Sequence, residues 1–386
     1  MKRLACLLVF LLPFSAFAQL NSPIEIAAVF NTTGRQAPLG ISSLQGAQLA
    51  VDQINQKQAV LGRPLKLMVK NGQTDPEALA KIGEEIANNP KITLATGLSD
   101  NNMVLVIAPI VTAAGKLFIT TGATSPLLPL VIRGHFFMAC FGDNTQAAAG
   151  ADYAYKHLKI KTVAVLYDDG MDYTKGLQKY FTQTFKSLGG KVIYKAYFSH
   201  AHPSLAKQLN AIKKLKKMPQ MIYLAAGPTE APALIKAIRK VHPNVPIMGG
   251  DGYVAKVIIK ESGKAANNIY YTTHAYFAKN KGNKKIRAFV NAYLKKYQQM
   301  PTAYSGLAYD TINIFKDAII KAGSTSANAV SKALESMPDF VGVTGKIDYD
   351  PDLHLPKKTV SVVKIENGEA SLVDQVEPKN VPVAKL

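Results

Sequence analysis

Short β-rich runs alternate with amphipathic helical segments along most of this 386-residue chain. Residues 24–30 have the apolar composition of a buried strand, and Ala47, Ala50, Val51 and Ile54 then recur at the spacing of one helix face. Repetition of strand, helix and strand builds a parallel sheet that helices cover on both faces. The alternation therefore predicts an α/β fold.

Two such series are present, and an irregular stretch, residues 121–143, joins them. In the first series, Asp75-Pro76 indicates a helix start, because Asp caps well and Pro suits the first helical position. The two series predict two lobes. Open α/β sheets bind ligands beyond the carboxyl ends of their strands, so facing lobes predict a small-molecule site in the cleft between them.

The N-terminus has the pattern of a secretory signal peptide. Residues 1–3 carry two positive charges, residues 4–14 are almost wholly apolar, and residues 16–18 read Ala-Phe-Ala. The apolar run is too short to span a bilayer stably, and small residues suit signal peptidase. We expect residues 1–18 to be removed after Ala18; a retained membrane anchor is the alternative.

After that cleavage, Cys140 is the only cysteine, so no disulfide within the chain is expected. No later apolar stretch has the length of a transmembrane helix, and we expect a soluble exported product. Removal of Lys2 and Arg3 reduces the net charge from +20 to +18 (20 − 2). The lysines are spread along helical polar faces, as in residues 205–217, and export also argues against nucleic-acid binding.

Motifs for catalysis or metal binding are not recognisable in the sequence. We find no G-x-S-x-G, H-E-x-x-H, phosphate-binding loop or paired-cysteine pattern. Asp168, Asp169 and Asp172 lack the spacing of a calcium loop, and His200 and His202 lack further ligands nearby in sequence. We therefore expect no enzyme activity, no cofactor and no metal.

The segment from Ile24 to Asn55 reads IEIAAVFNTTGRQAPLGISSLQGAQLAVDQIN. It resembles the opening of the periplasmic leucine/isoleucine/valine-binding protein family. APIVTAAGKLFITTGATSP, DNTQAAAGADYA, VAVLYDDGMDYTKG and IMGGDGY resemble its later landmarks, in the same order. The likeness extends over residues 24–365.

This resemblance implies the fold of type I periplasmic binding proteins: two Rossmann-like lobes with parallel central sheets, joined by a hinge of three crossovers. We place the crossovers near 121–137, 272–276 and 343–346. The expected domains are residues 19–121 plus 275–343 for lobe 1, residues 122–274 plus 344–375 for lobe 2, and residues 376–386 for a C-terminal tail.

The resemblance also implies how an amino acid would be held at its two charged ends. Gly122, Ala123 and Thr124 match the segment that binds the ligand carboxylate through amides and a hydroxyl, which suit an anion. Asn101, beside Asn102, stands where the family has a second hydroxyl, and Asp251 matches the carboxylate that binds the ammonium group. The alternatives are a Thr-capped turn, a helix N-cap cluster and an Asp in a turn.

Around the ligand side chain, Tyr173 and Tyr304 match aromatic positions of the family, although each suits a half-buried structural tyrosine equally well. Leu39 and Gly227 stand where aromatic residues are common. We expect these two departures to enlarge the cleft. They leave the ligand open among branched-chain amino acids, aliphatic amides and aromatic acids.

The resemblance implies a monomeric, periplasmic substrate-binding component of an ABC importer, which presents a small ligand to an inner-membrane permease. Two alternatives remain. The same fold serves as a sensor that signals to a membrane partner, and an exported hydrolase would use an acidic cleft around Asp168 and Asp251.

Overall fold

The first series of elements forms a five-stranded parallel sheet. The computed structural model describes residues 22–57, 59–349 and 353–385, so the expected signal peptide lies outside the described residues. The sheet order is β2-β1-β3-β4-β5. Its strands are β1 Ile24–Phe30, β2 Leu65–Asn71, β3 Leu94–Gly97, β4 Leu117–Thr120 and β5 Phe136–Met138, and its helices are α1 Ala37–Lys57, α2 Pro76–Asn88, α3 Asn101–Ala113 and α4 Leu128–Val131.

The second series forms the parallel part of another sheet. Its helices are α5 Asp143–Asp152, extended by a π-helical turn at Tyr153–His157, α6 Asp172–Ser187, α7 Ala206–Lys213, α8 Ala231–Val241 and α9 Ala255–Ser262, which a short 3₁₀ turn follows at Gly263–Ala265. Its strands are β6 Thr162–Asp168, β7 Lys191–Phe198, β8 Met221–Ala225, β9 Ile247–Gly249 and β10 Ile269–Thr273.

The C-terminal part returns to the first lobe and then to the second. It comprises α10 Lys284–Tyr297, α11 Ala303–Ala322, α12 Ala327–Glu335, β11 Phe340–Gly342, β12 Gly345–Tyr349, β13 Pro356–Lys357, β14 Val360–Glu366 and β15 Glu369–Val376. Strands β11, β12 and β13 form a small antiparallel sheet. Strands β14 and β15 complete the second sheet, in the order β15-β14-β10-β9-β8-β6-β7, by antiparallel pairing at β10.

Strand β1 shows why the first sheet needs helices on both faces. Ile26, Ala28 and Phe30 pack in one core cluster, and Ala27 and Val29 pack in another on the opposite face. Successive side chains of a strand point to opposite faces, so an apolar run of this kind is stable only where both faces are covered. The helix face predicted from Ala47 to Ile54 lies in the first of these clusters, where α11 also packs.

Two expected lobe boundaries differ from the structure. Strand β5 pairs with β4, with Phe118 opposite Phe136, so the first sheet continues past the boundary expected after residue 121. Ile347 of β12 packs in the core of the first lobe, although the second lobe was expected to resume at residue 344. Backbone pairing and core burial move both crossovers later in the chain.

Among the described helices, none is both long and apolar enough to span a bilayer.

Lys358 anchors the last crossover, immediately before β14. Its side chain is 6% exposed, and its Nζ donates to Thr344 Oγ1 at 2.8 Å and to the Ala139 carbonyl at 3.3 Å. Asp310 accepts from the backbone N–H groups of Val343 and Thr344, each at 2.8 Å. Burial lowers the pKa of Lys358 from 10.5 to about 8, and the charge of Asp310 opposes that shift.

Lys358 should make the free energy of unfolding rise with pH between about 8 and 10.5. Over that window the unfolded chain binds a proton that the folded chain does not. Lys358→Met should remove up to about 1.4 kcal/mol per pH unit of this slope. Urea denaturation at a series of pH values measures it, with the exposed Lys264→Met as control. Equal slopes for the wild type and Lys358→Met would contradict the prediction.

Candidate functional site

Polar side chains from both lobes meet at the carboxyl ends of the parallel strands. The first lobe contributes the residues after β3 and β4, and the second contributes the residues after β6, β9 and β10. Parallel strands end at one edge of their sheet, and the two sheets present these edges to each other. The interlobe cleft is therefore the candidate site.

The carboxylate of Asp251 lies at the centre of this cleft and is 1% exposed. Its Oδ1 accepts from Gln146 Nε2 at 2.8 Å. Its Oδ2 accepts from the Tyr304 hydroxyl at 3.0 Å and from His274 Nε2 at 2.8 Å. Burial alone would raise the pKa of Asp251, but the hydrogen bonds from His274 and Gln146 hold it below the usual value. The cleft thus contains a stabilised anion.

A second buried carboxyl, that of Asp143, lies at the start of α5. Gln146 Nε2 donates to Asp143 Oδ1 at 3.1 Å as well as to Asp251, so one amide bridges the two acids. Asn101 Nδ2 donates to Asp143 Oδ2 at 3.3 Å. Burial raises the pKa of Asp143 well above its usual value, and the nearby charge of Asp251 adds to the shift. The pair therefore favours one negative charge and one neutral acid.

The expected carboxylate-binding residues lie together beside Asp143. Asn101 Oδ1 accepts from the Ser125 N–H at 2.9 Å, and the Thr124 carbonyl accepts from the Asp143 N–H at 2.6 Å. The Thr124 hydroxyl also bonds to Asp143 and lowers the pKa of that carboxyl. The N-cap of α3 is Asp100. Asn101 therefore does not cap the helix. Its side-chain amide bonds instead to Asp143 and to the Ser125 N–H in the cleft.

Gly122 and Ala123 form the buried, tightly packed part of the same loop. A Cβ at Gly122 would lie 2.8 Å from Tyr304 Cε1, so only glycine allows this ring to approach. Ala123 is fully buried, and its carbonyl accepts from Cys140 Sγ at 3.1 Å. The backbone N–H of Ala123 donates to Thr120 Oγ1 at 3.2 Å. The backbone at these two residues is closely packed.

Of the remaining expected site residues, Asn102 and Tyr304 make contacts between the lobes. Tyr173 accepts from the Gly252 N–H at 2.8 Å, beside Asp251. Asn102 Oδ1 accepts from the Asp172 N–H at 3.1 Å, across the cleft. Tyr304 reaches Asp251 from α11, again across the cleft. Leu39 is 3% exposed in α1 and packs in the cluster that contains Tyr304.

Gly227 does not simply enlarge the cleft as the sequence suggested. A Cβ at this position would lie 2.5 Å from Glu230 Oε2, so the Glu230 carboxylate occupies the adjacent space. Glu230 Oε1 in turn lies 3.4 Å from Arg35 Nη1 of the first lobe. An ion pair therefore stands near the position where the family often has a tyrosine.

Sequence reasoning missed Gln146, His274, Asp143 and the Arg35–Glu230 pair. The DNTQ segment carries a signal, because four polar residues open a helix otherwise rich in alanine. His274 gives a weaker one, since a polar residue directly follows the buried strand β10. Which of these side chains face one another depends on the pairing of the two lobes, and neighbouring residues do not reveal that pairing.

Asp168 takes a local structural role. It is fully buried and accepts from the backbone N–H groups of Gly170 and His200, while its Oδ2 pairs with His200 Nδ1 at 2.8 Å. Across residues 22–57, 59–349 and 353–385, no three His, Cys, Asp or Glu side chains cluster as metal ligands would.

The sequence matches the model of the periplasmic binding protein family over residues 23–370. The chain belongs to this family. It is 26% identical over 371 residues to the Leu/Ile/Val-binding protein BraC3 of Rhizobium johnstonii, covering 96% of this chain and 98% of the relative. The family consists of binding proteins.

Solved structures agree with this assignment. The isoleucine complex of LivJ, a branched-chain amino acid transporter substrate-binding protein from Streptococcus pneumoniae, superposes with a TM-score of 0.85 at 26% identity, covering 92% of this chain and all of that one. The leucine-binding protein LivK of Thermotoga maritima gives 0.85 at 28% identity, with 92% and 99% covered. The expected family and its two-lobed α/β fold are confirmed.

The Tyr304–Asp251 hydrogen bond should stabilise the closed arrangement of the lobes. Tyr304→Phe removes a cross-lobe donor to a buried carboxylate. This loss should destabilise the closed arrangement by about 1.5–3 kcal/mol. Small-angle X-ray scattering should show a larger radius of gyration for this variant. Tyr309→Phe is the matched control, because that hydroxyl donates to Gln53 within the first lobe at 2.7 Å. An unchanged scattering profile for Tyr304→Phe would contradict the role.

Proposed function

We propose that this chain is the substrate-binding component of an ABC importer, and that it captures an α-amino acid in the cleft and presents it to a membrane permease. The observation that carries the proposal is the buried anion of Asp251, with donors from both lobes. An ammonium group is the ligand feature that such an anion recognises best. Relatives over nearly the full length are named for binding leucine, isoleucine and valine.

The donors to Asp251 suggest how capture proceeds. Gln146 and His274 belong to the same lobe as Asp251 and stay with it when the lobes separate, whereas Tyr304 belongs to the other lobe. In the open form Asp251 is therefore oriented and exposed. A ligand ammonium group enters at this position, and the ligand carboxylate meets the loop from Gly122 to Thr124 with Asn101. Closure then adds Tyr304, because the ligand touches both lobes only when they close.

We infer that three short segments act as the hinge. They are residues 139–142 after β5, residues 275–276 after His274, and Lys358 with Thr359 before β14. In each case one neighbour lies in the first lobe and the other in the second sheet. Hinges are a few residues at the ends of elements, which fits these positions. Within the described ranges, the lobes are then residues 22–138 with 277–357, and residues 143–274 with 360–376.

Asp251→Asn should weaken amino-acid binding by about one to two orders of magnitude, since a hydrogen bond to a charged group contributes about 1.5–3 kcal/mol. Isothermal titration calorimetry on unfolded and refolded protein, freed of retained ligand, measures the affinity. The exposed Asp169→Asn is the control in the same lobe. Failure of every α-amino acid to bind the wild type would overturn the proposed function. Conversion of an added amino acid to a product would indicate an enzyme.

The proposed site of action is the periplasm. In a Gram-negative host, the chain should be recovered from the periplasmic fraction with Gln19 as its first residue. N-terminal sequencing of the purified protein measures this directly. An intact Met1 in the membrane fraction would indicate a retained anchor instead.

A further inference from the structure

Glu230 is a second acidic side chain that faces the cleft. It immediately precedes α8, it is 5% exposed, and its Oε1 lies 3.4 Å from Arg35 Nη1 of the other lobe. The loop before it adjoins the Asp251 turn, because a Cβ at Gly252 would lie 3.0 Å from the Ala226 carbonyl oxygen. Arg35 Nη1 also lies 3.1 Å from Met171 Sδ. Glu230 therefore stands at the cleft, one loop away from the buried anion.

The second oxygen of Glu230 has no hydrogen-bond partner among the described residues. Gly227 has no Cβ, and this absence keeps the space beside the oxygen open. A Cβ added at Gly227 would lie 2.5 Å from Glu230 Oε2. A buried carboxylate oxygen without a donor is costly, and such groups are rare in native proteins. Oε2 thus requires a donor that the protein residues described do not supply.

Gln36 offers a similar oxygen from the first lobe. Its side chain is 3% exposed, and its Nε2 donates to Asp100 Oδ2 at 3.0 Å. That bond fixes the amide, so Oε1 is the free end, and within the described ranges it too has no partner. Gln36 follows Arg35 directly in the chain. The Arg35–Glu230 contact is therefore accompanied by one unpartnered acceptor on each lobe.

We propose that Arg35, Gln36 and Glu230 form a subsite for a ligand side chain that ends in a neutral carboxamide. This rests on the proposed function, in which Asp251 holds the ammonium end of an amino acid. The amide NH₂ donates to Glu230 Oε2 and Gln36 Oε1, and the amide oxygen accepts from the Arg35 guanidinium. Glutamine has the required groups.

The charge balance favours a neutral group. Glu230 is already paired with Arg35, so a charged ligand side chain would leave a net charge buried in the subsite, and that is unfavourable. An aliphatic ligand side chain has no donor and would leave Glu230 Oε2 and Gln36 Oε1 without hydrogen-bond partners. Sites built to hydrogen-bond a ligand group discriminate strongly against analogues that lack it.

The test compares glutamine with methionine, which has a similar length and no donor, with glutamate, which has the same shape and a charge, and with leucine. Calorimetry on the refolded wild type should give at least a tenfold higher affinity for glutamine than for the other three. Glu230→Met should lower glutamine affinity about tenfold or more and leave methionine affinity unchanged or higher. Glu261→Met, on the exposed face of α9, is the matched control.

The outcomes separate the subsite from the proposed function. If leucine or methionine binds the wild type as tightly as glutamine, the carboxamide subsite is wrong and amino-acid capture stands. If no amino acid binds, both are wrong. The wild-type comparison decides the matter even if Glu230→Met fails to fold. Gly227→Ala provides a second variant, which should also lower glutamine affinity because the new Cβ crowds Oε2.

Discussion

The buried carboxylate of Asp251 is the interaction on which the closed cleft depends. A carboxylate taken out of water requires several donors to offset the lost hydration. Gln146 and His274 supply two donors from the same lobe, and Tyr304 supplies one from the other. The first two keep the charge oriented in either state of the lobes. The third exists only when the lobes meet, so it couples burial of the anion to closure.

Gln146 also connects the two buried aspartates of the cleft. Its Nε2 donates to both Asp143 and Asp251, and its Oε1 accepts from the Asp251 N–H and the Thr272 hydroxyl, each at 3.1 Å. These partners allow only one orientation of the amide. Asp143 is the acid whose pKa is raised, and Asp251 is the one whose pKa is lowered. Of these two acids, Asp251 is therefore the one that carries the negative charge.

The fold follows from local sequence to a large extent, and the site only in part. The helix start at Asp75-Pro76 is correct in detail, since Asp75 accepts from the Ala78 N–H at 2.7 Å. Periodicity also identified the buried face of α1. The placement of β5 in the first sheet depends on pairing with β4, and the strand is too short for its own sequence to fix its partner. Gln146 and His274 became recognisable only when the sheets placed them beside Asp251.

The departures at Leu39 and Gly227 illustrate the same limit. Loss of an aromatic ring suggests added space when each position is considered alone. In the structure Leu39 packs into the cluster of Tyr304, and the Glu230 carboxylate lies beside Gly227. Part of the space that an aromatic side chain would fill is thus occupied by the Glu230 carboxylate, which pairs with Arg35. The end of the cleft that holds Asp251 retains the chemistry expected for an α-amino acid. At the other end stands the Arg35–Glu230 ion pair. The carboxamide subsite that we propose there would make ligand preference depend on hydrogen bonding more than on size.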